Sequence, residues 1–186
     1  EQDYESFAAF LNGCIARTWL GLRGCSLTIP HKENLLRYVE QRGGHIDPLT
    51  RRIGAANTLV IEPGQRDDDA DIRVSAYNTD YRGAMDALLV GMGCSRDQMH
   101  GHSVAVLGAG GVSRAIVAGL RDCGCKVTIF NRTHAKAEAL AAEFGALARP
   151  YEDRIQHKAD VIINCTSMGM SPDVDTTPMP AQGLAG

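Results

Sequence analysis

Val104-Ala-Val-Leu-Gly108-Ala109-Gly110-Gly111-Val112-Ser113-Arg-Ala-Ile116 is an apolar run that breaks into glycines and opens at once into a helical pattern. Strand, glycine turn and helix start in that order make the βα turn of a dinucleotide fold. Gly108 permits the tight turn, and Gly110 lets the backbone approach a pyrophosphate. Ser113 takes the place of the third glycine, where helix packs on strand. Ala109, Gly111 and Val112 complete the turn, and the unpaired N–H groups of the helix start face the phosphates. A bare structural turn would share the glycines. The strand before them, the helix after and a second strand beyond favour nucleotide binding.

That second strand, Lys126–Phe130, runs into Asn131-Arg132-Thr133. NAD-specific domains carry an acidic residue about 20 positions after the glycines to receive the ribose hydroxyls. Here the position 131 − 110 = 21 residues past Gly110 is Asn. A carboxylate would repel a 2′-phosphate, whereas a guanidinium holds it bidentately. Arg132 therefore favours NADP, with Asn131, Thr133 and Lys136 assisting. An ordinary exposed Arg at a strand end would look the same by itself.

Around these two strands, the second half of the chain alternates strand and helix over 103–107, 113–123, 126–130, 135–144 and 161–165. Alternation of this kind predicts an α/β domain, a parallel sheet with covering helices. The first half opens with an amphipathic helix over 1–17, with Tyr4, Phe7, Ala8, Leu11 and Ile15 on one face. It continues through a strand over 24–29 and a helix over 32–41 closed by Gly43-Gly44, then two strands over 57–62 and 72–77. The Asp-rich 64–71 reads as a solvated hairpin tip, lacking the helix flanks and distal Glu of a Ca²⁺ loop. A helix follows from Thr79 and ends near 91–93. The short polar stretch 94–102 predicts the boundary, giving domains over 1–100 and 101–186.

Composition narrows the class. The 19 Lys and Arg against 22 Asp and Glu leave a formal charge of −3, with the basic residues scattered, which argues against nucleic acid as the main partner. No stretch approaches the roughly 20 apolar residues of a membrane span, and no leader opens the chain. The six cysteines, 14, 25, 94, 123, 125 and 165, sit in apolar runs without regular spacing and read as buried reduced thiols of a soluble cytoplasmic protein. The histidines form no metal-binding pattern. The chain has no initiator Met and stops in a Gly/Pro/Ala-rich stretch, so it reads as a fragment, or the ordered part of something longer. Nothing in it specifies an oligomeric state.

Three segments of the first half put polar residues where a strand stops: Ser26-Leu-Thr28-Ile-Pro-His-Lys32, Gly54-Ala-Ala-Asn57-Thr58 and Tyr77-Asn-Thr-Asp80. Lys32 and Asp80 could converge across a sheet, and such a dyad suits reversible proton transfer to an alcohol or carbonyl oxygen. Asn57 adds a neutral donor and acceptor for a polyol. A surface Lys and a helix-capping Asp are the plainer alternatives.

Six motifs, in this order, carry a resemblance: Ser26-Leu-Thr-Ile-Pro-His-Lys-Glu33, Gly54-Ala-Ala-Asn-Thr-Leu59, Asn78-Thr-Asp80, Gly108-Ala-Gly-Gly-Val-Ser113, Asn131-Arg-Thr133 and Asn164-Cys-Thr-Ser-Met-Gly169. As a set they resemble the shikimate dehydrogenase family. The resemblance implies reduction of 3-dehydroshikimate to shikimate with NADPH, in aromatic amino acid biosynthesis. It further implies a Rossmann-like cofactor domain behind an α/β substrate domain, with a cleft between them. By motif, Lys32 and Asp80 match the family's catalytic pair, and Thr28 and Asn57 match substrate-binding positions. Residues 108–113 and 131–133 match its NADP site, and Thr166-Ser167-Met168 matches the loop near the nicotinamide.

The departures count too. The family's N-terminal Ser-x-Ser strand and its C-terminal helix bearing a substrate-binding Gln lie outside residues 1–186. Tyr81 stands where many single-function members have Gly, which brings in the dehydroquinate dehydratase/shikimate dehydrogenase fusions; Lys136 stands where Arg is common. The rival readings are a quinate/shikimate dehydrogenase, often NAD-linked; a glutamyl-tRNA reductase, which has no place for the Lys32 and Asp80 segments; and a nucleotide-binding regulator, which has no need of Lys32, Asn57 and Asp80 together.

Overall fold

The computed structural model describes residues 2–62 and 72–184, so the hairpin tip expected at 64–71 lies outside the described residues. The chain forms two compact units, 1–79 and 80–186.

The first unit starts with α1 (Gln2–Ile15), whose Tyr4, Phe7, Leu11 and Ile15 recur at helical spacing and are all buried. They pack with Leu35, Tyr38 and Val39 of α2 (Lys32–Gln41) over one face of a sheet. Complete burial of a side chain such as Leu35 is worth about 1.5–3 kcal/mol. The sheet contains β1 (Gly24–Ser26), β2 (His45–Ile46), β3 (Thr58–Glu62) and β4 (Arg73–Tyr77), in the order β1-β3-β4-β2. β3 pairs antiparallel with β1 and β4, and β2 lies parallel to β4.

Two features depart from expectation. β1 stops at Ser26 rather than running to Ile29, because Leu27 N–H turns aside to the Asn57 carbonyl (2.7 Å) and the Thr28 carbonyl accepts from His31 N–H (3.0 Å). Pro30 has no N–H with which to resume a ladder. β2 and α3 (Pro48–Ile53) were not anticipated. α3 nonetheless has clear punctuation: the Asp47 carboxylate accepts from Thr50 N–H at 3.0 Å, Pro48 occupies the first turn, and Gly54 closes the helix.

The second unit is a four-stranded parallel sheet, as the alternation predicts. Its strands are β5 (Ser103–Leu107), β6 (Lys126–Phe130), β7 (Leu147–Arg149) and β8 (Val161–Asn164), in the order β7-β6-β5-β8. Parallel strands covered on both faces alternate their side chains between two apolar layers. Val104, Val106, Val127 and Ile129 join the core that holds α5 (Gly111–Asp122) and α6 (His134–Phe144). Ala105, Leu107 and Phe130 face a second cluster with Met179. Among the strands of this unit only β7 carries no pattern in the sequence: it is three residues long, with Leu147 and Arg149 exposed.

The units part between Thr79 and Asp80, ahead of the polar stretch 94–102, because α4 (Asp80–Met92) packs on α5. Gly119 supplies the notch: a Cβ there would stand 2.5 Å from Met85 Cγ. The buried Tyr81 donates its hydroxyl to Asp122 Oδ2 at 2.6 Å, which fixes the first turn of α4. Burial and this hydrogen bond push the phenol above its ordinary pKa. Among the described residues no helix is long and apolar enough to cross a membrane.

Candidate active site

In the first unit the segments singled out in the sequence are laced together at one end of the sheet. Leu27 N–H donates to the Asn57 carbonyl, Ala56 N–H to the Lys32 carbonyl (2.9 Å) and Asn57 N–H to the Tyr77 carbonyl (3.0 Å). Asn78 Nδ2 reaches back to the Ala55 carbonyl at 2.8 Å. Each bond joins chain segments more than 19 residues apart, so the convergence is a property of the fold and not of any single motif.

Asn57 is the centre of the lacing. Its amide is buried; Oδ1 accepts from Thr79 N–H at 3.0 Å and from Thr58 Oγ1 at 2.9 Å, and Nδ2 donates to Thr79 Oγ1 at 2.9 Å. The side chain expected to face substrate is thus also a brace. It clamps Thr79, the residue that precedes Asp80 by one peptide bond. Thr58 and Thr79 were not singled out, although both lie inside motifs that were.

Lys32 is buried at the first position of α2. A cation at a helix N-terminus opposes the macrodipole, and burial adds a desolvation cost. Local violations of this kind concentrate at functional positions. Thr28 is exposed in the turn after β1 and borders a largely apolar hollow of about 470 Å³ together with Phe7, Phe10 and His31.

Asp80 belongs to the second unit, where it opens α4 and is half-buried. The Tyr81–Asp122 bond holds the turn that carries it.

Of the residues expected to hold a cofactor, Gly108, Ala109, Gly110, Asn131, Arg132, Thr166, Ser167 and Met168 line a hollow of about 170 Å³ in the second unit, at the carboxyl ends of β5, β6 and β8. Gly108 has φ of +114°, and a Cβ there would meet the Cys165 carbonyl oxygen at 2.9 Å, so only glycine fits. In front of Gly110 a Cβ would meet nothing within 4 Å, which leaves that space to a ligand. Arg114 N–H to the Gly110 carbonyl is the first helical bond (3.2 Å), so the N–H groups of Gly111 and Val112 remain for an anion. Ser113, fully buried, explains its own presence in place of glycine: its Oγ accepts the Gly110 N–H at 3.2 Å.

Arg132 and Thr133 are exposed just past β6, and among the described residues Arg132 carries no ion pair. Asn131 Nδ2 donates to the Thr133 carbonyl at 2.8 Å and shapes the turn into α6, on whose first turn Lys136 lies. At the end of β8, Asn164 braces the third wall. Its Oδ1 accepts from Thr166 N–H (2.8 Å) and Oγ1 (2.7 Å), and its Nδ2 donates to the Met168 carbonyl (3.0 Å). Thr166, Ser167 and Met168 thus stand around the same hollow as Gly108 and Arg132. Burial pushes the Cys165 thiol up to about 11, despite a hydrogen bond with Ser113 that lowers it, so this wall carries no charge at neutral pH. Tyr151 also lines the hollow; it follows Arg149-Pro150 outside every motif, and no sequence signal marks it. Open backbone, free helix N–H groups and a nearby guanidinium fit a dinucleotide bearing an additional phosphate.

Of the cysteines expected to be buried, Cys123 and Cys125 are, and the other four are partly exposed; all six are free thiols.

Comparison with known proteins places both units. The family described as shikimate dehydrogenase substrate binding domain matches residues 1–59, and shikimate / quinate 5-dehydrogenase matches residues 92–171. The chain is 37% identical over 167 residues to the shikimate dehydrogenase (NADP(+)) of Bacillus cereus strain G9842, covering 86% of this chain and 55% of that protein. It is 35% identical over 173 residues to the chloroplastic bifunctional 3-dehydroquinate dehydratase/shikimate dehydrogenase of Arabidopsis thaliana, covering 87% of this chain and 27% of that protein. A crystal structure of shikimate 5-dehydrogenase from Thermus thermophilus, in complex with NADP(H) and shikimate, aligns at a TM-score of 0.70 and 34% identity. That alignment covers 92% of this chain and 58% of the solved one. The chain spans about half the length of the single-function relatives it matches. With the substrate-binding domain matched ahead of the dehydrogenase part, on a fold that supplies both, this chain belongs to the shikimate dehydrogenase family.

Proposed function

We propose that the protein carrying this chain is an NADP-dependent shikimate dehydrogenase of the shikimate pathway, interconverting 3-dehydroshikimate and shikimate. The observation that supports this most is the lacing of segments 26–32, 54–58 and 77–79 through Asn57. It ties the main chain at Lys32 to that at Ala56 and Asn57, with Asp80 next in the chain after Thr79.

Bound NADPH supplies hydride to the C3 carbonyl carbon. Lys32 Nζ gives its proton to the carbonyl oxygen as negative charge develops there, and takes it back in the direction of oxidation. Asp80 orients the ammonium or shares the proton. Thr28 and Asn57 hold substrate hydroxyls, and the clamp on Thr79 keeps the Asp80 backbone in place. On the cofactor side, Gly108, Ala109 and Gly110 let the diphosphate approach, Gly111, Val112 and Ser113 present the start of α5, and Asn131, Arg132, Thr133 and Lys136 take the 2′-phosphate. Thr166, Ser167 and Met168 line the nicotinamide end. Asn131 in place of an acidic residue, with the Arg132 guanidinium beside it, is the reason for NADP rather than NAD. The free thiols agree with a reducing compartment such as the cytoplasm.

The test is reduction of NADP⁺ and of NAD⁺ by the full-length protein, with shikimate and with quinate. Turnover fastest with shikimate and NADP⁺ is expected. NADPH binding with no turnover of either substrate would replace this reading with a nucleotide-binding regulator.

A further inference from the structure

Tyr151 stands outside every motif of this chain, yet it is built as a wall of the cofactor hollow. It opens a 3₁₀ turn (Tyr151–Ile155) directly after β7, with Pro150 setting the entry of the chain. The ring packs against the apolar cluster of Ala105, Leu107, Phe130 and Met179 beneath the sheet. The Arg154 guanidinium lies 3.7 Å from the ring centroid, a cation–π contact. That guanidinium is itself fixed by two carbonyls, Nη1 donating to Tyr151 O and Nε to Pro178 O, both at 2.7 Å. The phenol is therefore held rigidly before any ligand arrives, and a rigid contact loses little entropy on binding.

Its hydroxyl is the part left unserved. Among the described residues its one partner is Met168 Sδ at 4.0 Å, a weak acceptor at the outer limit for sulfur. A half-buried tyrosine hydroxyl ordinarily finds a better partner. This one borders the hollow that also holds Gly108, Gly110, Arg132 and Thr166.

We propose that the Tyr151 hydroxyl donates a hydrogen bond to an oxygen of the bound dinucleotide, in its ribose or diphosphate portion, so that β7 and its turn add a contact that the glycine and Asn-Arg-Thr motifs do not announce. The proposal rests on the reading of this hollow as the NADP site. It differs from the role of Arg132 in acting on a portion that NADPH and NADH share.

The test measures NADPH and NADH dissociation constants by fluorescence titration of the full-length protein and of Tyr151→Phe. Phenylalanine keeps the ring, its packing and the Arg154 contact, so the melting temperature without cofactor should be unchanged. Loss of one neutral hydrogen bond should raise both dissociation constants about three- to tenfold. Unchanged affinity for both cofactors in Tyr151→Phe, with wild type binding normally, would overturn the Tyr151 contact and leave the site reading standing. A loss confined to NADPH would overturn it too, because the contact would then be to the 2′-phosphate. Failure of wild type to bind either cofactor would overturn the site reading and this proposal with it.

Discussion

In residues 80–186 the polar site is made chiefly of main chain, namely a glycine turn, the first N–H groups of α5 and a loop that Asn164 folds onto itself, whereas in residues 2–79 it is made of side chains held by backbone from distant segments. The side proposed to take the cofactor uses local geometry. Its parts sit within one strand–turn–helix unit or at the end of a neighbouring parallel strand, so a short stretch of chain determines each part. The side proposed to take substrate depends on closure of the whole sheet, because Leu27, Lys32, Ala55, Asn57, Tyr77 and Thr79 become neighbours only when β1, β3 and β4 are in register. Damage to the first should therefore cost nucleotide binding above all, and damage to the second should cost stability and turnover together.

Gly108→Val tests this contrast most severely. A side chain at φ +114° and 2.9 Å from the Cys165 carbonyl adds strain of about 1–3 kcal/mol and fills the approach to the phosphates. NADPH binding by titration should be lost and the melting temperature should fall by several degrees, roughly 4–8 °C per kcal/mol for a unit of this size. Native-like NADPH affinity in that variant would mean that the turn does not hold the diphosphate.

Asn57→Ala comes next and probes the other side. It strands Thr79 N–H and Thr58 Oγ1 without their acceptor, so denaturant unfolding should show a loss of about 1–3 kcal/mol. Turnover should fall as well, while NADPH affinity holds. A variant as stable as wild type would show that the lacing does not depend on this amide.

Arg132→Ala isolates one contact of the cofactor half. Removing an exposed charge-assisted contact should weaken NADPH by about tenfold or more and leave NADH nearly untouched. Equal losses for both would remove the 2′-phosphate assignment.

The smallest effect expected is the pH response of His157, which lies 5.2 Å from the Phe130 ring. Burial, and then the positive charge of Arg149, hold its pKa below the usual imidazole value. The folded state thus binds its proton less readily than the unfolded chain. The associated stability is fully present above about pH 6.5 and declines as the pH falls from there toward the lower folded value. The stability difference between wild type and His157→Gln, read from thermal melts, should change across that window; parallel curves would mean that His157 is not involved.

The same contrast explains what was legible in the sequence. The glycine turn, β5, β6, α5 and the Asn-Arg-Thr strand end follow from local pattern, and the structure has them within one or two residues of the expected bounds. β7 carries no signal because three residues, two of them exposed, show no periodicity, and Tyr151 after it shares that silence. Composition turns at the polar stretch 94–102, whereas the Gly119 notch and the Tyr81–Asp122 bond that pack α4 on α5 are tertiary and invisible to composition. Lys32, Asn57 and Asp80 could be selected as residue types at strand ends. That Asn57 would be spent partly on Thr79 could not be read, because it depends on the register Thr58↔Tyr77.

The most direct test of the proposed chemistry is Lys32→Ala in the full-length protein, with shikimate turnover and NADPH affinity measured side by side. Loss of a general acid should lower turnover by at least about a hundredfold while NADPH binds as in wild type. Turnover close to wild type would contradict the role given to Lys32, and with it the reading of the laced end of the first unit as the catalytic half.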